Sequence, residues 1–430
     1  MKKILALLML TLLCLAFVAC GDSEGTAPSD NGACTHENTE WNTKEPTCTM
    51  EGARSGDCPD CGEYIFEKLP AKGHIMVDGA CTGCQGVFIN NYEEFLAFAQ
   101  KVNSGTTFSG AKVELLADID LKGEEWTPIG TEEHPFHGNF IGNNHKITNL
   151  SITKSYVHAG LFGYVGGYIR GLNVSGTITT DAYHVGMVAG FGGNSSECSA
   201  SGTITITERS NTQNKETYIG GVFGMDGNAA YCYSDVDLTV ARNMHTTVAV
   251  GGVVGKASYV QSCYSLGDVS VVAYGNNVCV GGIIGEITEF NNGVTSIVEC
   301  YSKGDIEVMA SGASAAHGYV GGILGNSMAQ MKTTISSCFV LGDIELNGTP
   351  DTTDCYGGAI AGKFRGQKIY ENCYYSAEQD LTAPHITKGT EQEISDKIII
   401  TASFQQNSAK LGSNWTIKEG SLPTLKLFEK

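Results

Sequence analysis

Three stretches of one phrase decide the fold: Tyr218-Ile219-Gly220-Gly221-Val222-Phe223-Gly224, Ala249-Val250-Gly251-Gly252-Val253-Val254-Gly255 and Cys279-Val280-Gly281-Gly282-Ile283-Ile284-Gly285. Working outward, the phrase recurs upstream at His158-Ala159-Gly160-Leu161-Phe162-Gly163 and His184-Val185-Gly186-Met187-Val188-Ala189-Gly190. Downstream it recurs at Tyr319-Val320-Gly321-Gly322-Ile323-Leu324-Gly325 and Cys355-Tyr356-Gly357-Gly358-Ala359-Ile360-Ala361-Gly362. The first glycines lie 26 to 40 residues apart, so these are seven copies of one structural unit. None has a helical period. Short Val, Ile, Thr and Tyr runs punctuated by glycine, such as Gly267-Asp268-Val269-Ser270-Val271-Val272, read as strands with turns at fixed offsets. A unit of this kind buries its apolar face by parallel pairing with the next copy, which predicts an all-β, right-handed parallel β-solenoid. The double glycine marks a corner that needs positive φ or close backbone approach.

Each phrase from the second onward is followed by a cysteine: Cys198, Cys232, Cys263, Cys300, Cys338 and Cys373. In the first copy the position is Leu172. Leucine replaces cysteine in a core but not at a metal, so the column reads as interior packing of inert thiols. The position two before the first glycine (His158, His184, Tyr218, Ala249, Cys279, Tyr319, Cys355) is a second, mixed packing column. The Gly-Gly-Ile-Ile-Gly and Cys-Tyr-Ser elements resemble the GLUG motif of bacterial surface proteins, among them immunoglobulin A peptidases and large adhesins. The resemblance covers about residues 135 to 376 and implies architecture; the motif lies outside the peptidases' catalytic chemistry and brings no active-site residue with it.

The ends of the array need closing. Asn91 caps an amphipathic helix carrying Phe95, Phe98, Ala99 and Val102, with Glu94 in capping-box position and Gly105 just beyond its end. Residues 88–155 are therefore assigned as N-terminal cap and first coil, 156–376 as repeats, and 377–430 as a C-terminal cap with a helix-like stretch at Glu391–Ile398.

Residues 34–86 hold Cys34, His36, Cys48, Cys58, Cys61, His74, Cys81 and Cys84. The pairs Cys58-x-x-Cys61 and Cys81-x-x-Cys84, 19 residues apart, have zinc-ribbon spacing, since each such turn aims two thiolates at one point. Cys34, His36, Cys48 and His74 then form a second set; an alternative grouping places Cys48, Cys58, Cys61 and His74 on one ion. Two histidines favour structural zinc over the disulfides that an extracytoplasmic location allows. The segment resembles the short zinc-ribbon-like repeats of bacterial surface proteins.

The chain opens with Lys2-Lys3, an apolar run to Ala19, and Cys20-Gly21, a secretory layout ending in a cysteine. Phe17-Val18-Ala19-Cys20 resembles the lipobox of bacterial lipoproteins, which implies a signal peptide over 1–20, acylation (palmitate) of Cys20 and an extracytoplasmic, membrane-anchored protein at the bacterial cell surface. Residues 21–33 read as a flexible tether; the G-x-S-x-G at 21–25 has no strand or helix to make a nucleophile elbow. A formal net charge of −19 with 17% charged residues excludes the basic surfaces that nucleic acid requires. Gly251–Lys256 is too short for a phosphate loop, and Ala257 stands where Ser or Thr is needed.

The leading expectation is a non-catalytic adhesin or ligand-binding scaffold, with an extracellular glycan or host-matrix protein as partner. The alternative is a carbohydrate-active lyase or glycosidase using Asp268, Asp305 and Asp343, which follow glycine at matching positions and stack along one edge. Tyr233, Tyr264 and Tyr301, each following a column cysteine, form either a sugar-stacking strip or an inward-facing column.

Overall fold

The structure is a computed structural model that describes residues 34–48, 50–77, 80–83, 86–209, 215–243, 246–288, 295–311, 317–330, 332–348, 354–376, 381–382, 396–398, 411–418 and 421–429. Cys20 and Cys84 lie outside the described residues, as do residues 391–395 of the helix-like stretch. The chain divides into two compact units, the first ending at Gly73 and the second beginning at His74.

The second unit is built almost wholly from parallel strands. The chain visits four sheets in the same order and then begins again. One circuit runs His184–Val185 on the first face, Ala189–Phe191 on the second, Asn194–Ser196 on the third and Ser199–Ile206 on the fourth. The next begins at Thr217–Gly220, with His184 in register with Tyr218. Seven strands make up each of the first two faces among the described residues. Through the middle copies the register of the glycine phrase is constant: Val250 pairs Val280, which pairs Val320, and Gly251, Gly281 and Gly321 stack beside them. Alternate residues point inward to one continuous core, from Phe95 and Trp126 at one end to Ile360 and Cys373 at the other. Each fully buried Val or Ile contributes roughly 1.5–3 kcal/mol relative to exposure, and the core is made chiefly of these.

The glycine corner works by close approach, not by positive φ. A Cβ on Gly281 would sit 2.2 Å from the Ile284 carbonyl oxygen, and one on Gly282 would sit 2.2 Å from that of Gly322. The left-handed residue of each circuit is elsewhere, immediately before the column cysteine: Glu197, Tyr231, Ser262, Glu299, Ser337 and Asn372 all have φ between 49° and 57°. Gly171 (φ 66°) holds that place in the first copy. The register also replaces the last member of the mixed column. Tyr356, not Cys355, pairs with Tyr319, because Gly358 is the glycine in line with Gly321.

The helix forms over Tyr92–Asn103, as the cap predicts. Asn91 accepts the Glu94 amide at 2.9 Å, and the Glu94 carboxylate accepts the Asn90 amide at 2.7 Å. Its apolar face lies on the first coil, with Phe95 stacked on Trp126 (5.5 Å) and Phe98 edge-on to Phe136 (5.5 Å). At the other end the expectation of a helix fails: Asp396–Ile398 is a strand that extends the fourth face beside Tyr374–Ser376. Residues 411–418 and 421–428 pack against the aromatic column of the fourth face.

The first unit carries a three-stranded antiparallel sheet, Asn42–Lys44, Gly52–Asp57 and Tyr64–Leu69. Cys58 is its one buried apolar side chain among the described residues.

Candidate functional site

In the first unit, Cys58-Pro59-Asp60-Cys61-Gly62 makes a knuckle at the end of the strand Gly52–Asp57. The Gly62 amide donates to the Cys58 carbonyl at 2.7 Å, and Gly62 takes φ 75°, which glycine adopts without strain. Four donors converge here: Cys34, His36, Cys58 and Cys61, all ligand atoms within 4.8 Å of one another. Cys34 Sγ and Cys58 Sγ are 3.7 Å apart; Cys61 Sγ and His36 Nδ1 are 3.6 Å apart. A tetrahedron with zinc-like bond lengths has edges of about 3.8 Å between sulfurs and about 3.6 Å between sulfur and nitrogen. The set therefore fits one tetrahedral metal. The other His36 nitrogen, Nε2, lies 3.7 Å from the Glu63 carboxylate, the outer partner that ligating imidazoles commonly keep. The two thiols of the knuckle are pushed in opposite directions. The hydrogen bond from His36, with the amides of Cys61 and Asp60, brings Cys58 down to about 6; at Cys61 the Glu63 amide is outweighed by desolvation and the neighbouring Cys58 and Cys34, which push it up to about 11.

This grouping corrects the one read from spacing. Among the described residues, Cys58 and Cys61 are completed by Cys34 and His36, not by Cys81, nor by Cys48 and His74. Local contacts decide it. Residues 39–40 run across Gly56, where a Cβ would meet the Glu40 carbonyl at 2.3 Å, and Asn38 donates to Asp60 at 2.8 Å. Cys48 belongs to the first unit outside this cluster; His74 and Cys81 belong to the second unit, where the His74 ring lies 4.0 Å from that of Phe88.

In the second unit the chemistry-bearing columns are committed to the backbone. Cys198, Cys232, Cys263, Cys300 and Cys338 are fully buried, and burial pushes their thiols well above the usual range. Each donates to the carbonyl two residues earlier, at 3.2–3.3 Å, a carbonyl that also accepts a backbone amide from the preceding rung. Asp268, Asp305 and Asp343 do stack on an exposed edge, and Asp237 joins them. Each carboxylate accepts the amide of the next: Asp268 N to Asp237 at 3.1 Å, Asp305 N to Asp268 at 2.9 Å, Asp343 N to Asp305 at 2.8 Å.

The tyrosines stack as a ladder. Tyr233, Tyr264 and Tyr301 are parallel within 6° at 4.9 and 5.0 Å, and Phe339 and Tyr374 continue the column. An open sugar strip is not what results. Tyr264 and Tyr301 are buried under Leu411, Trp415 and Leu425, and the Tyr301 hydroxyl donates to the Pro423 carbonyl at 2.7 Å. Only Tyr233, at the start of the ladder, stays half-buried.

Sequence reasoning missed a buried charged pair where the first two faces meet. Lys256 lies 2.9 Å from Glu286 and donates to the Tyr218 hydroxyl at 2.8 Å. Burial raises the Glu286 carboxyl, and Lys256 opposes the rise. The signal was present: Lys256, Glu286, Asn326 and Lys363 each follow the last glycine of their phrase, so alignment of the copies places them on successive rungs.

Among the described residues no helix is long and apolar enough to cross a membrane. No family model matches the chain. A protein of Evansella cellulosilytica described as a "putative Gly-rich membrane protein" is 36% identical over 73 residues, which cover 16% of this chain and only 8% of that protein's length. A solved structure from Bacteroides ovatus described as a "putative immunoglobulin A1 protease" superposes with a TM-score of 0.49 at 19% identity, over 80% of this chain and 93% of the other.

Proposed function

We propose that this chain is a lipid-anchored bacterial surface protein whose GLUG-type, right-handed parallel β-solenoid binds or presents a ligand without chemistry of its own, behind a zinc-ribbon-like head. One observation carries the reading: the residues that would serve an enzyme are consumed by the stack itself. The thiols hold carbonyls, the Asp edge holds amides, and most of the tyrosine ladder is covered by the chain. Parallel crossovers are overwhelmingly right-handed, which supports the hand of the solenoid. The head takes zinc through Cys34, His36, Cys58 and Cys61 in a site with four protein donors, the closed arrangement of structural centres. Membrane attachment rests on the Phe17–Cys20 lipobox, and the short match to a protein named for the membrane agrees with it.

The test is retention on an immobilised panel of glycans and host-matrix proteins, following both bound protein and remaining ligand. Stable retention with intact ligand is expected; progressive loss of ligand would show an enzyme instead. In the same preparation Cys20→Ala is expected to move the protein from the membrane fraction to the soluble one.

A further inference from the structure

A ring inside a stacked ladder has both faces hidden by its neighbours; only an end ring has a neighbour too small to cover it. The ladder begins at Tyr233, whose partner on the preceding rung is Ser199, itself paired with Asn173. The step from a phenol ring to a hydroxymethyl group opens a cavity of about 510 Å³ on the outer side of the fourth face. Tyr233 and Phe428 give it an aromatic wall, their rings edge-to-face at 4.6 Å. The strands Lys146–Ile152, Asn173–Thr180 and Ser199–Ile206 supply the rest, mainly through Lys146, Asn173, Ser175, Ser199 and Ser201.

Three further features point to a ligand. The polar groups are fixed in place: Ser199 Oγ donates to Asn173 Oδ1 at 2.5 Å, and Asn173 Nδ2 donates to the Asn144 carbonyl at 2.7 Å. The side-chain oxygen of Asn144, also in the lining, is buried and accepts no hydrogen bond. On a chain of net charge −19, the cavity is lined by one ammonium group and no carboxylate.

We propose that this cavity is a saccharide site and that the sugar it takes carries a carboxylate, as a uronic acid does. The inference rests on the surface-binding reading above and names its ligand class. Amides and hydroxyls at fixed spacing match sugar hydroxyls, the aromatic wall takes a sugar's apolar C–H face, and Lys146 pairs with the carboxylate. A peptide added as a strand is disfavoured, because every strand lining the cavity already has a partner on each side and offers no free edge. A polyphosphate backbone would need several cations rather than one.

The probes are oligogalacturonate and its methyl ester, the same chain without the charge, together with glucuronate and mannuronate oligomers, all immobilised and presented to the full chain. The wild-type protein is expected to bind at least one uronate, and to bind a methyl ester of it at least tenfold more weakly. Lys146→Glu should weaken uronate binding at least tenfold, and Ser201→Tyr, which fills the cavity from a half-buried position on a strand that lines it, should abolish it. Melting curves of both variants establish that they fold. Equal binding of acid and ester overturns the carboxylate assignment, and failure to bind any uronate overturns the site. Uronate binding untouched by Ser201→Tyr places the ligand elsewhere, which overturns the cavity while leaving the surface-binding reading standing.

Discussion

At the scale of single residues, the column cysteines do what the leucine of the first copy cannot. The S–H reaches back past a left-handed residue to a carbonyl that already accepts an amide of the preceding rung, and gives it a second hydrogen bond. Cys300→Ala should therefore cost roughly 1–2 kcal/mol, chiefly through the small cavity it leaves, since the Val298 carbonyl keeps the Ser262 amide at 2.8 Å and loses only its second hydrogen bond; a urea midpoint unchanged from wild type would refute that account. The left-handed residue is itself strained when it carries a Cβ. Ser337 (φ 53°) occupies the place that Gly171 holds in the first copy, so Ser337→Gly should stabilise the chain by about 0.5–1 kcal/mol, the relief of strain outweighing the entropy of glycine. Asp226 supplies the clearest pH dependence. It is fully buried, one carboxylate oxygen has no partner, and burial raises its pKa to about 7. The folded state thus holds this proton more tightly than the unfolded chain does. The site is neutral and without penalty at pH values below about 4; stability is lost as pH rises toward 7, reaching a deficit of roughly 4 kcal/mol above it. Asp226→Asn should match wild type near pH 4 and exceed it by a few kcal/mol at pH 8 in denaturant titrations. An equal difference at both pH values would mean that the carboxyl does not titrate in this range.

At the scale of elements, local and periodic features were legible and distant ones were not. The helix could be read because its cap, its reciprocal glutamate and its apolar stripe all lie within a dozen residues. The stack could be read because glycine and cysteine recur in register. The cover over the tyrosine ladder could not, since the Tyr301 hydroxyl meets Pro423 across 122 residues of sequence. Nothing near Tyr264 says that Trp415 will lie against it. That cover can be tested directly. Burial holds the Tyr264 and Tyr301 phenols above the usual range. Trp415→Ala should let both titrate near pH 10, the value of an exposed tyrosine, in the ultraviolet difference spectrum. No added titration near pH 10 would mean that the segment still covers the ladder without the indole.

At the scale of the whole molecule, the two units hold together by different physics. The second unit has one long apolar core in which each circuit is supported by its neighbours, so its stability is close to a sum of nearest-neighbour terms. The first has almost no core. Cys58 is its only buried apolar side chain among the described residues, while Tyr64, Phe66 and Met50 are exposed. Segments this small and this poorly buried do not hold a fold on hydrophobic burial alone and need a staple. The donors at 3.6 and 3.7 Å supply one if a metal sits among them. The cysteines and histidines were plain in the sequence, but their grouping was not, because spacing says nothing about which segment lies across Gly56. Chelation should therefore act on one unit only. A strong zinc chelator at neutral pH is expected to remove hydrogen-exchange protection from the strands at 52–57 and 64–69 while that of the parallel stack is unchanged, and Cys34→Ser should do the same without chelator. Protection that survives chelation but falls on reduction would assign the staple to disulfides, since a metal centre requires free thiolates and a disulfide framework does not.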